Sequence, residues 1–256
     1  MKLTLSKLLL ILFAFAFTIG HAQNLKRKIP YYPNEYIKYE LRLGKLLLGE
    51  AEIIFKTDSV NCGTFIKASA RSVGFAKFIK DIEYTFFTCA DPKTTLPQQA
   101  GRIIREPELE DYNLVEYFRD LRQDSTVIYS KNTDTVVVPK GIFDILTGFY
   151  FFRANYLDDD MSDYKTKKIT TFFIDEVWDL VLRYKGTTVI PSILGDKRCY
   201  IIMPVTKICY FFKTHDDMTL WFTTDNYVPI KIDVRMKIGT LHATMVEYRP
   251  PQNKKQ

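Results

Sequence analysis

Histidine is the side chain that most often transfers protons near neutral pH, and this chain contains only three. His21 falls in an apolar N-terminal stretch, which leaves His215 and His242 as candidates for a serine- or cysteine-based catalytic site. His215 lies in the polar stretch KTHDDMTL, and His242 alternates with apolar neighbours in a strand-like pattern. The chain also lacks the Gly-x-Ser-x-Gly turn that exposes a nucleophilic serine. We therefore expect neither histidine to be catalytic.

Carboxylates offer two other kinds of chemistry, metal binding and general acid–base catalysis. The run from Asp158 to Asp160, followed by Asp163, resembles part of a calcium loop, but the turn glycine and distal glutamate of such a loop are missing. We interpret this run as a solvated loop that ends a helix. Glu50 and Glu52 alternate with apolar residues, so we expect them on the outer side of a strand. A glycosidase pair cannot be selected from a sequence, because its separation is spatial. We predict no catalytic residue, no metal ligand and no cofactor.

Aromatic residues make up 14% of the chain and are the remaining candidates for ligand contacts. Trp221 opens the stretch WFTTDNY, while Phe149, Phe152 and Arg153 belong to the stretch GFYFFR. These are the residues that we expect to line a groove for an apolar or sugar ligand. The alternative is that the rings are core residues, because β-rich cores use aromatic cross-strand pairs. For Trp221 the core role is the favoured interpretation.

Four cysteines occur in the chain, at Cys62, Cys89, Cys199 and Cys209. Their spacings differ from the C-x-x-C pattern of zinc knuckles and thioredoxin-like sites. Cys199 and Cys209 flank a predicted hairpin and are a candidate disulfide, and another hairpin could bring the first two cysteines together. The alternative is that all four are small buried residues without a bond.

The N-terminal stretch MKLTLSKLLLILFAFAFTIGHAQ has the pattern of a secretory signal peptide. Lys2 and Lys7 precede an apolar run from Leu8 to Phe17, and small residues up to Ala22 mark the expected cleavage point. The apolar run is too short to favour a membrane span. We predict a signal peptide over residues 1–22 and a periplasmic location for the rest of the chain, in a compartment where disulfides form.

The formal net charge is +6, and charges of both signs are interspersed along the chain. This pattern favours solubility and argues against a dedicated nucleic-acid-binding surface. The basic groups near the two ends, at Lys26 to Lys28 and Lys254 to Lys255, are interpreted as solvated ends. We therefore expect a monomer that contacts a membrane peripherally at most.

Alternation of apolar and polar residues dominates the chain and predicts β-strands. In IKYELRL the apolar side chains share one face, and similar strands are expected in AEIIF, FIKASAR, DIEYTFFT, TDTVVVP, ITTFFI, VWDLVLRY, GTTVIPSI and CYIIMPV. The polar region from Gly101 to Arg122 could form a helix after Pro107 or two polar strands, and two strands are the favoured interpretation. The stretch LWFTTDNYVPIKIDVRMKIGTLHATM predicts three strands, with turns at Asp225-Asn226 and at Gly239.

One segment, residues 143–157, is predicted to be helical, with Asp144 near the positive end of the helix dipole. The segment is apolar on several sides, so the helix must dock on a sheet face or fill a barrel mouth. We predict a mainly β protein in which one or more curved antiparallel sheets form a half-barrel, open barrel or sandwich, with this helix docked on it. Residues 23–250 are expected to form a single domain, followed by a disordered tail over residues 251–256.

Three motifs, in this order, resemble the bacterial exported proteins grouped as domain of unknown function 3108. The family's strand–Gly–Glu–Ala start falls on Gly49 to Ala51, and its helix motif falls on Asp144 to Arg153. Its C-terminal motif falls on Trp221, Asp225 and Pro229. The helix is richer in phenylalanine than the family pattern. The resemblance implies an antiparallel, β-rich periplasmic protein, and it implies no catalytic residue, cofactor or substrate.

Three functions stay open on the sequence alone. The first is a non-enzymatic exported protein that holds an apolar or lipid ligand, or another envelope component. The second is a scaffold or assembly factor that binds a protein in the cell envelope. The third is an envelope glycan or ester hydrolase, which is least favoured because a histidine-based site is not indicated. The observation that separates them is whether the sheet encloses an apolar cavity beneath residues 143–157.

Overall fold

The computed structural model describes residues 28, 30, 32–59, 62–157, 166–205 and 217–252. In these ranges fourteen strands form one antiparallel sheet. The strands are β1 Tyr36–Leu43, β2 Leu46–Ser59, β3 Cys62–Ser72, β4 Glu83–Ala90, β5 Pro97–Glu106, β6 Leu109–Phe118, β7 Ser125–Ser130, β8 Asp134–Pro139, β9 Thr166–Phe173, β10 Glu176–Ile190, β11 Lys197–Pro204, β12 Met218–Thr223, β13 Pro229–Met236 and β14 Gly239–Arg249. The helices are α1 Gly74–Ile79 and α2 Ile145–Asn155.

The sheet consists of two meanders joined through the first and last strands. Strands β1 to β8 pair in sequence order, strands β9 to β14 do the same, and β14 pairs with β1. The edges of this unclosed sheet are therefore β8 and β9, which lie on either side of α2 in the sequence. The prediction of a mainly β, antiparallel protein with a docked helix is confirmed, with one sheet in place of the two that a sandwich needs.

The alternation of side chains explains which face of each strand is buried. In β1, Ile37 and Tyr39 are buried, while Lys38 between them is partly exposed. Pro107 lies in the turn between β5 and β6, where its missing N–H breaks no pairing between strands. The two polar strands predicted around this proline are confirmed. The predicted C-terminal meander is also confirmed, as β12, β13 and β14.

Helix α2 begins at a capping box formed by Asp144 and Thr147. The Asp144 Oδ1 accepts hydrogen bonds from the backbone N–H groups of Leu146, at 2.7 Å, and Thr147, at 3.3 Å. The Thr147 hydroxyl in turn accepts the Asp144 N–H at 3.2 Å. Asp144 has extended backbone angles, so the helix begins two residues after the predicted start at residue 143.

Helix α2 packs against both meanders and fills the space between them. Phe151 and Phe152 join the buried cluster of strands β9 to β12, which includes Phe222. Leu146 and Tyr150 join a second cluster, with Phe55 of β2 and Ile66 of β3. The apolar surface of the helix thus forms the centre of the core, as its composition predicts.

The turn between β9 and β10 joins the meanders at one end of the sheet. The Asp175 carboxylate in this turn accepts hydrogen bonds from Arg102 of β5 at 3.0 Å, Asn113 of β6 at 2.6 Å and Ser130 of β7 at 2.8 Å. Asn132, which follows β7, donates a further bond at 3.2 Å. Side chains therefore connect the two halves of the sheet at this end. We call these groups the Asp175 latch.

A disulfide links Cys62 of β3 to Cys89 of β4, with a Cα–Cα distance of 5.4 Å. Cys199 of β11 is a buried free thiol, and Cys209 lies outside the described residues. Burial, together with the nearby Asp225 carboxylate, raises the pKa of the Cys199 thiol to about 11. This thiol is therefore protonated and unreactive at neutral pH. Of the two hairpin pairings considered for the sequence, the described structure forms the Cys62–Cys89 bond.

Candidate functional site

The inner side of the sheet is dominated by a buried ion pair between α2 and the start of β1. Arg153 donates from its two terminal nitrogens to the Glu35 carboxylate at 2.7 and 2.9 Å, and both side chains are 0% exposed. The Nε of Arg153 donates to the carbonyl of Tyr227 at 2.9 Å. Tyr150 donates its hydroxyl to Glu35 at 3.0 Å. The pair thus connects the helix to two separate parts of the chain.

The surroundings of Arg153 fix its charge. Burial alone favours the neutral guanidinium, but the Glu35 carboxylate outweighs it and raises the pKa of Arg153 above its ordinary value. The guanidinium carbon also lies 4.3 Å from the centre of the Tyr32 ring, a cation–π contact. Bidentate geometry and these further contacts are what a buried ion pair needs to offset the cost of desolvation. Arg153 therefore acts as an anchor between elements.

The four predicted groove residues do not share one surface. Phe152 is buried and its ring centre lies 5.8 Å from that of Phe222, while Phe149 packs against the same ring at 5.9 Å. Trp221, the residue before Phe222 in β12, is partly buried; it pairs with Lys231 in the register and packs against a different buried cluster, which includes Cys199 and Ile230. Its ring is covered by the Lys231 ammonium, 4.7 Å from the ring centre. The structure therefore brings Phe149, Phe152 and Arg153 together and separates Trp221 from them.

A small cavity lies beside the first turn of α2. It has a volume of about 40 Å³ and is bounded by strands β4 to β6, the start of α2 and the β9–β10 turn. Ligand pockets for drug-sized molecules span about 300–1,000 Å³, whereas a single water needs only about 10–15 Å³ of such space. This space beside the first turn of the helix fits one or a few waters and is too small for a lipid chain.

A larger concave surface lies on the outer face of strands β1 to β4. Its volume is about 340 Å³. We call it the outer groove; its lining residues are Tyr36, Lys38, Glu50, Ala51, Glu52, Lys67, Ser69, Ala70, Arg71 and Glu83. The charged members occupy outward positions on adjacent strands, where Glu50 pairs with Arg71 and Glu52 with Ser69 in the register. The polar character of this surface therefore follows from the alternation of inward and outward side chains along the strands.

Positive and negative charges are matched within the outer groove. The Glu50 carboxylate lies 3.1 Å from Lys38 Nζ and 3.2 Å from the Arg71 guanidinium. The Glu52 carboxylate accepts hydrogen bonds from Lys67 at 3.2 Å and from Ser69 at 3.1 Å. The groove thus presents a neutral cluster around Glu52 and a cluster around Glu50 with one more positive than negative charge, and the hydrogen-bonding groups of both are partly exposed.

The ionisation of these carboxylates bears on hydrolase chemistry. The hydrogen bond from Lys38 lowers the pKa of Glu50. Burial opposes ionisation of Glu52, but the bonds from Lys67 and Ser69 outweigh it and lower the pKa of that carboxyl too. A glycosidase acid needs a raised pKa in order to hold its proton near neutral pH. Glu50 and Glu52 therefore lack the property that a general acid needs.

Gly49 adjoins the outer groove and explains the first residue of the Gly–Glu–Ala motif. A Cβ on Gly49 would lie 2.5 Å from the backbone oxygen of Arg71 in the neighbouring strand. Real Cβ atoms do not approach backbone so closely, so β2 and β3 need glycine here. The motif thus combines a residue that permits close packing of the strands with a groove carboxylate, Glu50.

The other residues considered for catalysis or metal binding form no such site in the part of the chain that the structure describes. His242 pairs with Asp233, with 2.8 Å between Nδ1 and Oδ1, while His215 and the run Asp158 to Asp163 lie outside the described residues. Among the residues that were placed, no group of three or more histidine, cysteine or acidic side chains could hold a metal ion. Within the same residues, neither helix has the length and apolar character that a membrane span requires.

Sequence reasoning found Glu50 and Glu52 but missed the outer groove as a unit. The available signal was that β1, β2 and β3 each carry charged residues at outward positions, as in Lys38 and Lys67. The partner of Arg153 was also missed. Glu35 precedes the first strand and is separated from Arg153 by 118 residues, and no local pattern connects positions so far apart.

Comparison with known proteins places the chain in a family. The family model described as "Protein of unknown function (DUF3108)" matches residues 38–246, so the chain belongs to this family. The resemblance inferred from the three motifs is confirmed. No curated protein matches the chain. A crystal structure of a β-barrel-like protein of the domain of unknown function DUF1849 from Brucella abortus is similar in fold, with a TM-score of 0.56 and 8% sequence identity. The similarity covers 87% of this chain and 100% of that one.

Proposed function

We propose that this DUF3108 protein is a non-enzymatic exported protein that binds a protein partner in the cell envelope through the outer groove of β1 to β4. The observation that carries the proposal is the contrast in size between the two concave spaces. The outer groove has a volume of about 340 Å³, whereas the cavity beside α2 has about 40 Å³. Recognition through the outer face leaves the packed interior undisturbed.

The character of the outer groove favours a polar partner. Its clusters contain both signs of charge, in pairs such as Lys38–Glu50 and Lys67–Glu52 at 3.1 and 3.2 Å. A partner that carries both signs can exchange these internal bonds for bonds of its own, and such complementarity gives specificity. A protein segment meets this requirement, because acidic and basic side chains alternate readily along it.

The other two functions have less support. Holding an apolar ligand inside the sheet requires α2 to move away from the clusters that contain Phe152 and Leu146. Hydrolysis requires a carboxyl with a raised pKa at an accessible surface, and the pKa values of Glu50 and Glu52 are lowered. The carboxyl of Asp144 does have a raised pKa because of its burial, but it caps α2.

The proposal is tested by crosslinking in intact cells and identification of the captured proteins. Glu50→Lys and Glu52→Lys each reverse one charge of the outer groove. The matched control is Glu110→Lys, which reverses an exposed carboxylate on β6 that is paired with Arg105 at 3.3 Å. We expect one defined envelope protein with the wild type and the control, and its loss with both groove variants.

Three results would contradict the proposal. Equal capture by the groove variants would place the partner elsewhere, and the absence of any reproducible partner would remove the binding role. Native mass spectrometry that finds a co-purified lipid would instead support an interior ligand. Export is checked separately, because cleavage after Ala22 leaves Gln23 as the first residue of the protein recovered from the periplasm.

A further inference from the structure

Three strand connections lie side by side at one end of the sheet. They are the β1–β2 turn at residues 44–45, the β3–β4 connection that contains α1, and the β13–β14 turn at residues 237–238. The strands concerned are consecutive in the sheet, in the order β4-β3-β2-β1-β14-β13. The β3–β4 connection is also bonded to β2, because the Val73 N–H donates to the Leu48 carbonyl at 3.0 Å. We call this end of the sheet the apolar rim.

Large apolar side chains project into solvent at the apolar rim. Phe78 is 87% exposed and Ile238 is 74% exposed. Phe75, Ile79 and Leu46 are also at least half exposed, and α1 has no buried residue. An aromatic-rich helix that buries nothing contributes little to the core. Exposed apolar groups concentrated in this way indicate an interaction surface.

Basic residues stand directly beside the exposed apolar groups. Lys45 precedes Leu46, Lys77 precedes Phe78, Lys80 follows Ile79, and Lys237 precedes Ile238. Lys77 pairs with the Asp81 carboxylate at 3.6 Å and Lys80 pairs with the Glu106 carboxylate, and both lysine side chains are still more than half exposed. Each of the three connections therefore has an exposed apolar residue within it or next to it, together with a neighbouring cation.

We propose that the apolar rim docks on the surface of an anionic phospholipid bilayer. Rings and aliphatic side chains enter the boundary between headgroups and acyl chains, while lysine ammonium groups reach the phosphates. The apolar groups stand on three separate connections, which suits a deformable lipid surface better than a rigid protein face. Each cation near an anionic surface adds to the attraction, so several weak contacts sum to a reversible attachment.

This inference goes beyond the proposed function and is independent of it. The outer groove and the apolar rim are adjacent, since Arg71 and Glu83 of the groove flank the β3–β4 connection. Docking through the rim therefore holds the groove close to the membrane surface. Loss of a protein partner would leave lipid binding intact, and loss of lipid binding would leave the purified protein able to bind its partner.

The test is co-sedimentation of the protein, expressed from its full sequence, with two kinds of vesicle. One kind contains phosphatidylglycerol and phosphatidylcholine in equal parts, and the other contains phosphatidylcholine alone. We expect binding to the anionic vesicles and at least about tenfold weaker binding to the neutral ones. Salt at about 1 M shortens the screening length to about 3 Å and should weaken the anionic binding strongly.

A set of variants distinguishes binding through the apolar rim from nonspecific binding by any exposed apolar residue. Phe75→Ser with Phe78→Ser removes two exposed rings, and Lys45→Glu with Lys237→Glu reverses two charges of the rim. The control is Leu121→Ser with Ile193→Ser, which removes two exposed apolar residues from connections at the opposite end of the sheet. We expect both rim variants to lose anionic-vesicle binding by about tenfold or more and the control to keep it.

Several results overturn the proposal. The proposal is wrong if the wild type fails to bind anionic vesicles. It is also wrong if the rim variants bind these vesicles as strongly as the wild type does. If the wild type is a dimer in size-exclusion chromatography without vesicles and the ring variant is a monomer, a second copy of the chain is the occupant in place of lipid. Thermal melting of each variant establishes that it is folded, which these exposed positions permit.

Discussion

Arg153 at the end of α2 and Glu35 before β1 form a fully buried, bidentate ion pair across 118 residues of sequence. The pair lies where β1 and β14 join the two meanders, and Tyr248 of β14 donates to the same carboxylate at 3.5 Å. The helix that fills the sheet is therefore fastened at the seam of the sheet.

Breaking this pair on one side should destabilise the protein strongly. Arg153→Met leaves the Glu35 carboxylate buried without its cation, and removal of one partner from a buried pair costs about 3–5 kcal/mol. The double variant with Glu35→Leu removes both charges and should recover much of that loss. Urea unfolding measures both free energies. A loss below about 1 kcal/mol for Arg153→Met would show that the pair does not anchor the helix.

The Asp175 latch should give the stability a dependence on pH. Burial opposes ionisation of Asp175, but bonds from Ser130, Asn132 and Arg102 outweigh it and lower the pKa of the carboxyl below the ordinary 3.8. A lowered folded-state pKa means that this contribution is complete above pH 3.8 and disappears as the pH falls through the folded-state pKa.

Asp175→Asn tests this dependence. It should lower the unfolding free energy by about 1–3 kcal/mol at pH 7, because an amide cannot accept all the latch bonds. The difference from wild type should shrink as the pH falls below 3.8 and through the folded-state pKa of Asp175, because the wild-type carboxyl then becomes protonated as well. Urea titrations at a series of pH values provide the comparison. A difference that stays constant over this range would assign the effect to packing.

The Cys62–Cys89 disulfide should stabilise the sheet through the unfolded chain. It closes a loop across a sequence separation of 27 residues, and such a bond contributes about 2–4 kcal/mol. Dithiothreitol should lower the unfolding midpoint of the wild type and leave Cys62→Ser/Cys89→Ser unchanged. Cys199→Ser is the control and should respond to the reductant as the wild type does. Equal midpoints with and without reductant in the wild type would count against the bond.

Gly49→Ala should destabilise the protein although alanine is usually tolerated in strands. The added Cβ would lie 2.5 Å from the Arg71 backbone oxygen, so β2 and β3 must separate locally. Overpacking of this kind costs about 1–3 kcal/mol. Ala70→Gly, in the paired strand, adds no atom and is the matched control for backbone effects, at a cost of about 1 kcal/mol or less. Comparable losses for the two variants would reject the steric explanation.

Most of the strands and the long helix could be predicted from local sequence patterns. Alternation in β1 and the turns around Pro107 and Asp225 predict strands and hairpins, because each depends on neighbours within a few residues. Asp144 and the apolar segment after it predict the helix in the same way. No element is predicted for the six residues of α1, since fewer than two turns of helix between strands have too few positions to show a period.

The packing inside the sheet and the groove on its outer surface could not be predicted, because they depend on contacts between residues far apart in the sequence. An apolar helix is equally compatible with covering a ligand and with filling the space itself. Only the three-dimensional contacts show that Phe152 and Leu146 of α2 pack into buried clusters and that a space of about 40 Å³ lies beside its first turn. Trp221 and Arg153 stood out by residue type, but their environments are set by Lys231 and Glu35, on other elements. Residue type alone does not show which face of a strand packs against the helix.

The pairing of β1 with β14, which runs from Tyr36 opposite Arg249 to Leu43 opposite Leu241, also sets the order in which the sheet can be completed. Because β1 and β14 are the first and last of the described strands, the first meander keeps an unpaired edge until β14 has folded onto it. Such edges recruit other chains. Loss of the last strand would leave β1 and β13 exposed together. We therefore expect a variant truncated before Gly239 to aggregate.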